Sequence, residues 1–177
     1  MDEQYLAKTL KKRIRDVPDF PKPGIIFKDI TPVLADYLLC KTINKALAIP
    51  WQGLKIEGVA GIESRGFLFG MTLAMNLKVP FIPIRKKGKL PLKTNSKAYK
   101  LEYGSAELEM HSDAISNGDH ILIHDDLLAT GGTAMAATDL ILQNGGIVAG
   151  FSFLIMLQFL KGTDSLPSDQ VHSLVQY

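Results

Sequence analysis

Only one cysteine, Cys40, stands in this 177-residue chain, so no disulfide can close within it. It sits in "YLLCK", inside an apolar helical pattern, and reads as a small buried side chain rather than a nucleophile. Long hydrophobic runs are missing too. The longest apolar stretch, "GFSFLIMLQFL", is too short to span a bilayer as a helix, and the opening "MDEQYLAKTLKKRIRD" has no apolar core of signal-peptide length. These absences predict a cytoplasmic protein in a reducing setting, with no membrane partner. The formal net charge is only +2, too small a bias to imply a nucleic-acid partner. The four histidines show no metal-ligand spacing, and there are no repeats.

What remains is an ordinary globular balance, 46% hydrophobic and 21% charged, at a length that predicts one domain over 1–177. Leu6, Leu10 and Ile14 recur every four residues, so residues 2–15 are expected to form an amphipathic helix with a basic outer face. Pro18, Pro21, Pro23 and Pro32 then rule out regular helix, leaving an ordered loop. Residues 33–48 return to a helical pattern, ending before Pro50.

A rhythm follows: strand "KIEGVAGI", turn "ESRG", helix "FLFGMTLAMNL", strand "VPFIPI". It resumes with strand "DHILIH", loop "DDLLATGG", helix "TAMAATDLILQN" and strand "IVAGFSFLIML". Continuous apolar strands alternating with helices predict an α/β fold, a central, mostly parallel sheet flanked by helices. The polar, lysine-rich stretch from Arg85 to Gly118 breaks the pattern and reads as a long functional loop. Within it, Glu107 and Glu109 alternate with Leu108 and Met110, as on the outer face of a strand.

"IHDDLLATGGTAM" carries the chemistry. Its turn of small residues, Ala129 to Thr133, precedes a helix, so backbone amides at Thr130, Gly131, Gly132 and Thr133 would face an anion at the carboxyl edge of the sheet. Asp125 and Asp126, one step back, would repel that anion but accept from hydroxyls. A ribose 5-phosphate satisfies both demands, with phosphate on the turn and vicinal hydroxyls on the acids. A Walker loop needs lysine after its second glycine, and Thr133 stands there instead; the G-x-G-x-x-G dinucleotide fingerprint is absent. "IESRGF", with Glu63, Ser64 and Arg65, is a second strand-to-helix turn, and its helix N-terminus and Arg65 would form a second anion site.

"HILIHDDLLATGGT" resembles the phosphoribosyl-diphosphate signature of the type I phosphoribosyltransferases. With "VPDFPKPGIIFKDITPVL", "GIESRGFLFG", "IRKKGKLP" and "LEYGSAELEMHSDAI", the likeness covers nearly the whole chain and is greatest to the adenine-specific branch. The resemblance implies transfer of a phosphoribosyl group from phosphoribosyl diphosphate to adenine, giving AMP and pyrophosphate, by a homodimer using Mg2+. It implies an N-terminal helix and base-binding hood over about 1–35, and a basic hairpin and flexible catalytic loop over about 85–118. Ile26 and Lys28 would read adenine through their backbones and Phe27 would stack on it. By that resemblance most relatives would carry arginine where this chain has Lys28; a backbone contact survives that change, a guanidinium contact does not. Glu102 would manage a proton on the base, Tyr103 would cover the site, and Arg65 would join them in catalysis. The 63–65 turn would take pyrophosphate, Arg85 and Lys89 meeting it across a homodimer. Asp125 and Asp126 would support magnesium bound mainly through the donor. His124 departs from the apolar residue usual before the acids and reads as tolerated packing. A transferase for another purine, or a phosphoribosyl-diphosphate-sensing regulator of the same fold, remain open alternatives.

Overall fold

The computed structural model describes residues 3–100 and 105–177. The four-residue leucine spacing winds helix α1 (Glu3–Arg13), burying Leu6 and Leu10. The proline-rich segment expected to be a loop contains a two-stranded antiparallel ribbon, β1 (Arg15–Pro18) and β2 (Ile26–Asp29), with Asp16 opposite Lys28. Proline excludes helix but tolerates an isolated ribbon whose outer edges are unpaired, so excluding helix did not exclude strand. The single helix expected over 33–48 is two, α2 (Thr31–Leu34) and α3 (Tyr37–Ala48). Asp36 divides them by capping α3, its carboxylate accepting from the Leu39 amide at 3.0 Å.

The sheet then forms around β3 (Gly58–Ile62), every residue of which is buried. Helix α4 (Gly66–Leu77) and strand β4 (Phe81–Lys86) follow, then β5 (Thr94–Lys100), β6 (Ser105–His111), β7 (His120–Leu128), helix α5 (Gly132–Gln143), β8 (Ile147–Met156) and β9 (Val171–Gln176). Strand order is β5-β6-β4-β3-β7-β8-β9; β4, β3, β7, β8 and β9 run parallel, and β6 and β5 join antiparallel at one edge. Helices α1, α3 and α4 cover a core that includes Trp51, Leu73 and Leu122, while α5 packs on the other with Ile62, Ile123 and Phe153. The α/β sheet with helices on both faces is as expected.

Three differences bear on the site. The 85–118 stretch, read as a loop, is largely the β5–β6 hairpin, which joins the sheet at the edge of β4 and lies against α5, Asn95 Nδ2 donating to Asn144 Oδ1 at 2.9 Å. Glu109 does not face outward: it is buried, accepting from the amides of Lys89 and Leu90 at 2.8 and 2.7 Å, because the turn after β4 folds over it. Burial alone would raise its pKa, but those amides outweigh it and hold the carboxyl below its ordinary range. Finally, β7 continues through both acids to Leu128, where a loop was expected from Asp125 onward. Pairing with β8, Asp125 opposite Phe153, carries the strand past the charges.

Candidate active site

Parallel neighbours β3 and β7 pair up to Gly61 opposite His124, and β7 runs on past β3, so that the turn after β3 brings Gly66 against Asp125. The two turns expected to bind anions therefore form one edge. Near the end of β7, Asp125 Oδ1 accepts from the Asp126 amide at 2.8 Å, and Asp126 Oδ2 lies 3.0 Å from Arg65 Nε. That ion pair is not aligned as a hydrogen bond, and Asp126 Oδ2 is buried with no hydrogen-bond partner among the described residues. Burial pushes both acids above their ordinary pKa; the neighbouring Asp126 charge adds to the effect at Asp125, while Arg65 moderates it at Asp126. The pair is thus a site where the ionised carboxylates are incompletely compensated by the protein itself.

The turn from Ala129 to Thr133 leads into α5, whose first-turn amides have no partner within the helix. Gly131 caps that helix at φ +87°, and a side chain there would collide with Ser165 Oγ and the Gly162 carbonyl. A Cβ on Gly162 would in turn strike the Ala129 carbonyl oxygen. Ser165 Oγ donates to the carbonyls of Gly162, at 2.8 Å, and Thr130, at 3.3 Å. A short turn at 162–165 therefore braces the phosphate turn from behind. Nothing in the sequence pattern marked Gly162 or Ser165 for this.

Arg65, Asp125, Asp126 and the turn enclose a polar cleft of about 210 Å³. It opens into a larger, mainly apolar cleft of about 790 Å³, and the two share Arg65, Leu127, Ala129, Thr130, Gly132 and Thr133. The far wall of the larger cleft is β2, with Ile26, Phe27 and Lys28, joined by Tyr99, Phe159, Leu160 and Tyr177. Sequence reading had not singled out those last four. The Phe27 ring meets Phe20 edge-on at 5.2 Å between centroids, and the Arg65 guanidinium carbon sits 4.6 Å from the Phe27 centroid. A separate cavity of about 430 Å³ between α1, α3, β8 and β9 has neither the acid pair nor the turn of small residues.

The remaining expected residues are arranged differently from one another. Glu63 pairs with Arg85 rather than Arg65: its Oε2 accepts from Arg85 Nε at 3.0 Å and from the Lys86 amide at 3.1 Å. Burial would raise the Glu63 pKa, but those donors hold it below its ordinary range. Arg85 also donates to the Lys89 carbonyl at 3.0 Å, so both basic residues belong to one tied turn. Ser64 lies between Glu63 and Arg65, at the start of α4. Glu102 and Tyr103 lie outside the described residues. His124 is fully buried, with Nδ1 3.2 Å from Ser152 Oγ and its pKa pushed down to about 4 by burial.

The chain matches the phosphoribosyl transferase domain over residues 41–169. It is 50% identical over 177 residues to an adenine phosphoribosyltransferase of Cytophaga hutchinsonii, covering 99% of this chain and 98% of that one. Among solved structures it is similar to the adenine phosphoribosyltransferase of Rhodothermus marinus, 51% identical with a TM-score of 0.93 over 98% of this chain and 99% of the other. It is also similar to the Saccharomyces cerevisiae enzyme complexed with an imino-altritol bisphosphate and adenine, at 39% identity and TM-score 0.90, covering 97% and 99%.

Proposed function

This chain belongs to the phosphoribosyl transferase family, among its adenine phosphoribosyltransferases, and from that premise we propose how its residues divide the work. The chain is an enzyme that transfers the 5-phosphoribosyl group of phosphoribosyl diphosphate to adenine, giving AMP and pyrophosphate, a purine salvage reaction. A base nitrogen attacks the anomeric carbon as the bond to pyrophosphate breaks, so positive charge grows on the ribose and negative charge on the leaving group. The protein's task is then to hold three pieces and to oppose those charges.

The single observation that carries the division is the pair of joined clefts, one polar and one apolar, with Arg65 in the shared wall. Asp125 and Asp126 take the ribose hydroxyls and favour the cationic ring. Ala129 to Thr133 takes the 5-phosphate on turn and helix amides. Glu63, Ser64 and Arg65 face pyrophosphate, with Arg85 and Lys89 contributing across a homodimer. Ile26 and Lys28 read adenine through the backbone and Phe27 stacks on it. Glu102 handles the proton of the base and Tyr103 covers the site, both by resemblance alone.

The residues fit magnesium carried in on the donor: Asp126 Oδ2 is buried without a hydrogen bond, and a second carboxylate adjoins it. Mg2+, when bound, supplies charge neutralisation on the diphosphate, with Asp125 and Asp126 supporting it. A homodimer is supported by Leu68, Met71 and Met75, which expose one apolar side of α4. Donor and product are multiply charged and do not cross membranes unaided, which supports a cytoplasmic setting. The organisation is a single domain, the β1–β2 ribbon being its hood.

Incubation with magnesium, phosphoribosyl diphosphate and each nucleobase tests the whole reading. AMP from adenine is expected, with hypoxanthine and guanine far behind. Conversion of a 6-oxopurine at a rate matching adenine would overturn the base assignment.

A further inference from the structure

Lys28 occupies the strand assigned to adenine, yet its ammonium is engaged elsewhere. Nζ lies 2.7 Å from Asp16 Oδ1, directly opposite in the ribbon, and 3.7 Å from the centroid of the Tyr177 ring. The Lys28 side chain is only 10% exposed, so its contact with the ring operates where water screens it weakly, whereas the Asp16 partner is 55% exposed and that ion pair is the more screened of the two. Tyr177 is itself fixed to the sheet: its amide donates to the Met156 carbonyl at 2.9 Å, and its own carbonyl accepts from the Gln158 amide at 2.8 Å. Its hydroxyl is buried with no hydrogen-bond partner among the described residues, so the ring face, not the oxygen, makes the connection. Burial, with the Asp16 charge adding to it, raises the Tyr177 pKa, which keeps the ring neutral. Lys11 Nζ stands 5.3 Å from the same ring, a more distant cation.

The ribbon has no strand pairing to the main sheet. Lys28 ties it down twice, through its side chain to Tyr177 and through its carbonyl, which accepts from Arg65 Nη1 at 3.4 Å. We propose that Tyr177 is a positioning residue for the base: by holding the Lys28 ammonium against its ring, it sets the height of β2, and so of Phe27, above the cleft. This rests on the assignment of β2 to adenine. It also accounts for lysine at position 28, whose backbone serves the base while its side chain serves the anchor.

Steady-state kinetics separate this from a general structural role. Tyr177→Leu should raise KM for adenine by about three- to thirtyfold, the range of a partly desolvated cation–π contact, with kcat and donor KM nearly unchanged. Tyr177→Phe keeps the ring and should restore the parent's adenine KM. Lys28→Met should raise adenine KM similarly, and combining it with Tyr177→Leu should add nothing further. An unchanged adenine KM in Tyr177→Leu, equal damage from Phe and Leu, or fully multiplicative effects in the double variant would each overturn the proposal. If Tyr177→Leu does not fold, Lys28→Met decides: an unchanged adenine KM sinks the idea. Phe27→Ala separates the two levels. If it raises adenine KM while Tyr177→Leu does not, only the anchor fails; if Phe27→Ala also changes nothing, the base assignment itself is wrong.

Discussion

Asp126 and Phe27 lie on either side of Arg65, but they belong to different kinds of structure. Asp126 lies near the end of a strand with neighbours on both sides in a seven-stranded sheet, and the turn beyond that strand is braced by the 162–165 turn. Phe27 sits on a two-stranded ribbon whose exposed neighbours include Phe20 and Ile26. The phosphate and ribose end is part of the core; the base end is an attachment held by a few side chains. Fixed dipoles suit a charged ligand, because they need no rearrangement when charge develops. A lightly tied ribbon suits a flat, apolar base that must be admitted and then covered.

The comparison breaks most severely at Gly131. Alanine there must adopt φ +87° and intrude on the 162–165 turn. Strain and overpacking of this kind cost about 1–3 kcal/mol each. We expect a lowered melting temperature and AMP affinity reduced by about a hundredfold or more, since the displaced turn holds the phosphate. AMP binding at the parent's level, by calorimetry, would mean the turn tolerates displacement and is not the phosphate cradle.

Next in size is Asp126→Asn, which removes a charged acceptor and should weaken donor binding by about ten- to a hundredfold. Its neighbour separates function from stability. The folded pKa of Asp125 is raised well above the ordinary value, so its favourable contribution is complete below about pH 3.8 and is lost as pH rises through the raised value. At neutral pH the buried carboxyl, costly to ionise in the fold, therefore opposes folding. Asp125→Asn should raise the melting temperature of the ligand-free protein at pH 7.5 while impairing turnover. A lower melting temperature would show that the acid pair supports the fold.

Phe27→Ala sharpens the contrast from the other side. We expect adenine KM to rise about tenfold, a stacking contribution of roughly 1–1.5 kcal/mol, with melting temperature nearly constant because the ribbon is not core. A large drop in melting temperature would erase the distinction between cradle and hood.

The same distinction governed what the sequence disclosed. The cradle was legible because its parts are consecutive: an apolar strand, two acids, small residues and a helix within about a dozen positions. Arg65 was legible as another strand-to-helix turn. Its pairing with Asp126 was not, because that contact depends on β3 and β7 being neighbours in the sheet. The ribbon, the split at Asp36 and the burial of Glu109 were missed for related reasons. Each depends on a partner that periodicity does not encode: a facing strand, a capping carboxylate, a turn folding over a glutamate. Strand β9 and Tyr177 went unread because "VHSLVQ" alternates weakly and acquires its meaning only by pairing with β8.

His124 gives the smallest effect near neutral pH and the cleanest test of how far the cradle is core. Reading it as tolerated packing fits its position: it is buried, touches Ser152 and has an unpartnered Nε2 among the described residues. Burial lowers its pKa from 6.5 to about 4, so the unfolded chain takes up its proton first as pH falls. Its stabilising effect is complete above about pH 6.5 and is lost as pH falls from 6.5 toward 4. At pH 5 that loss is about 2 kcal/mol for the two pKa values, and at pH 7.5 it is negligible. His124→Leu abolishes the titration while filling much of the space. The variant's stability relative to the parent should therefore increase by about 2 kcal/mol between pH 7.5 and pH 5, in denaturant titrations at both values. Comparing the two proteins at each pH cancels the contribution of the acids next to it, which has the opposite sign. Equal shifts in variant and parent would mean that water or a local opening lets the imidazole charge inside the fold, and that the strand under the acids yields as readily as the ribbon.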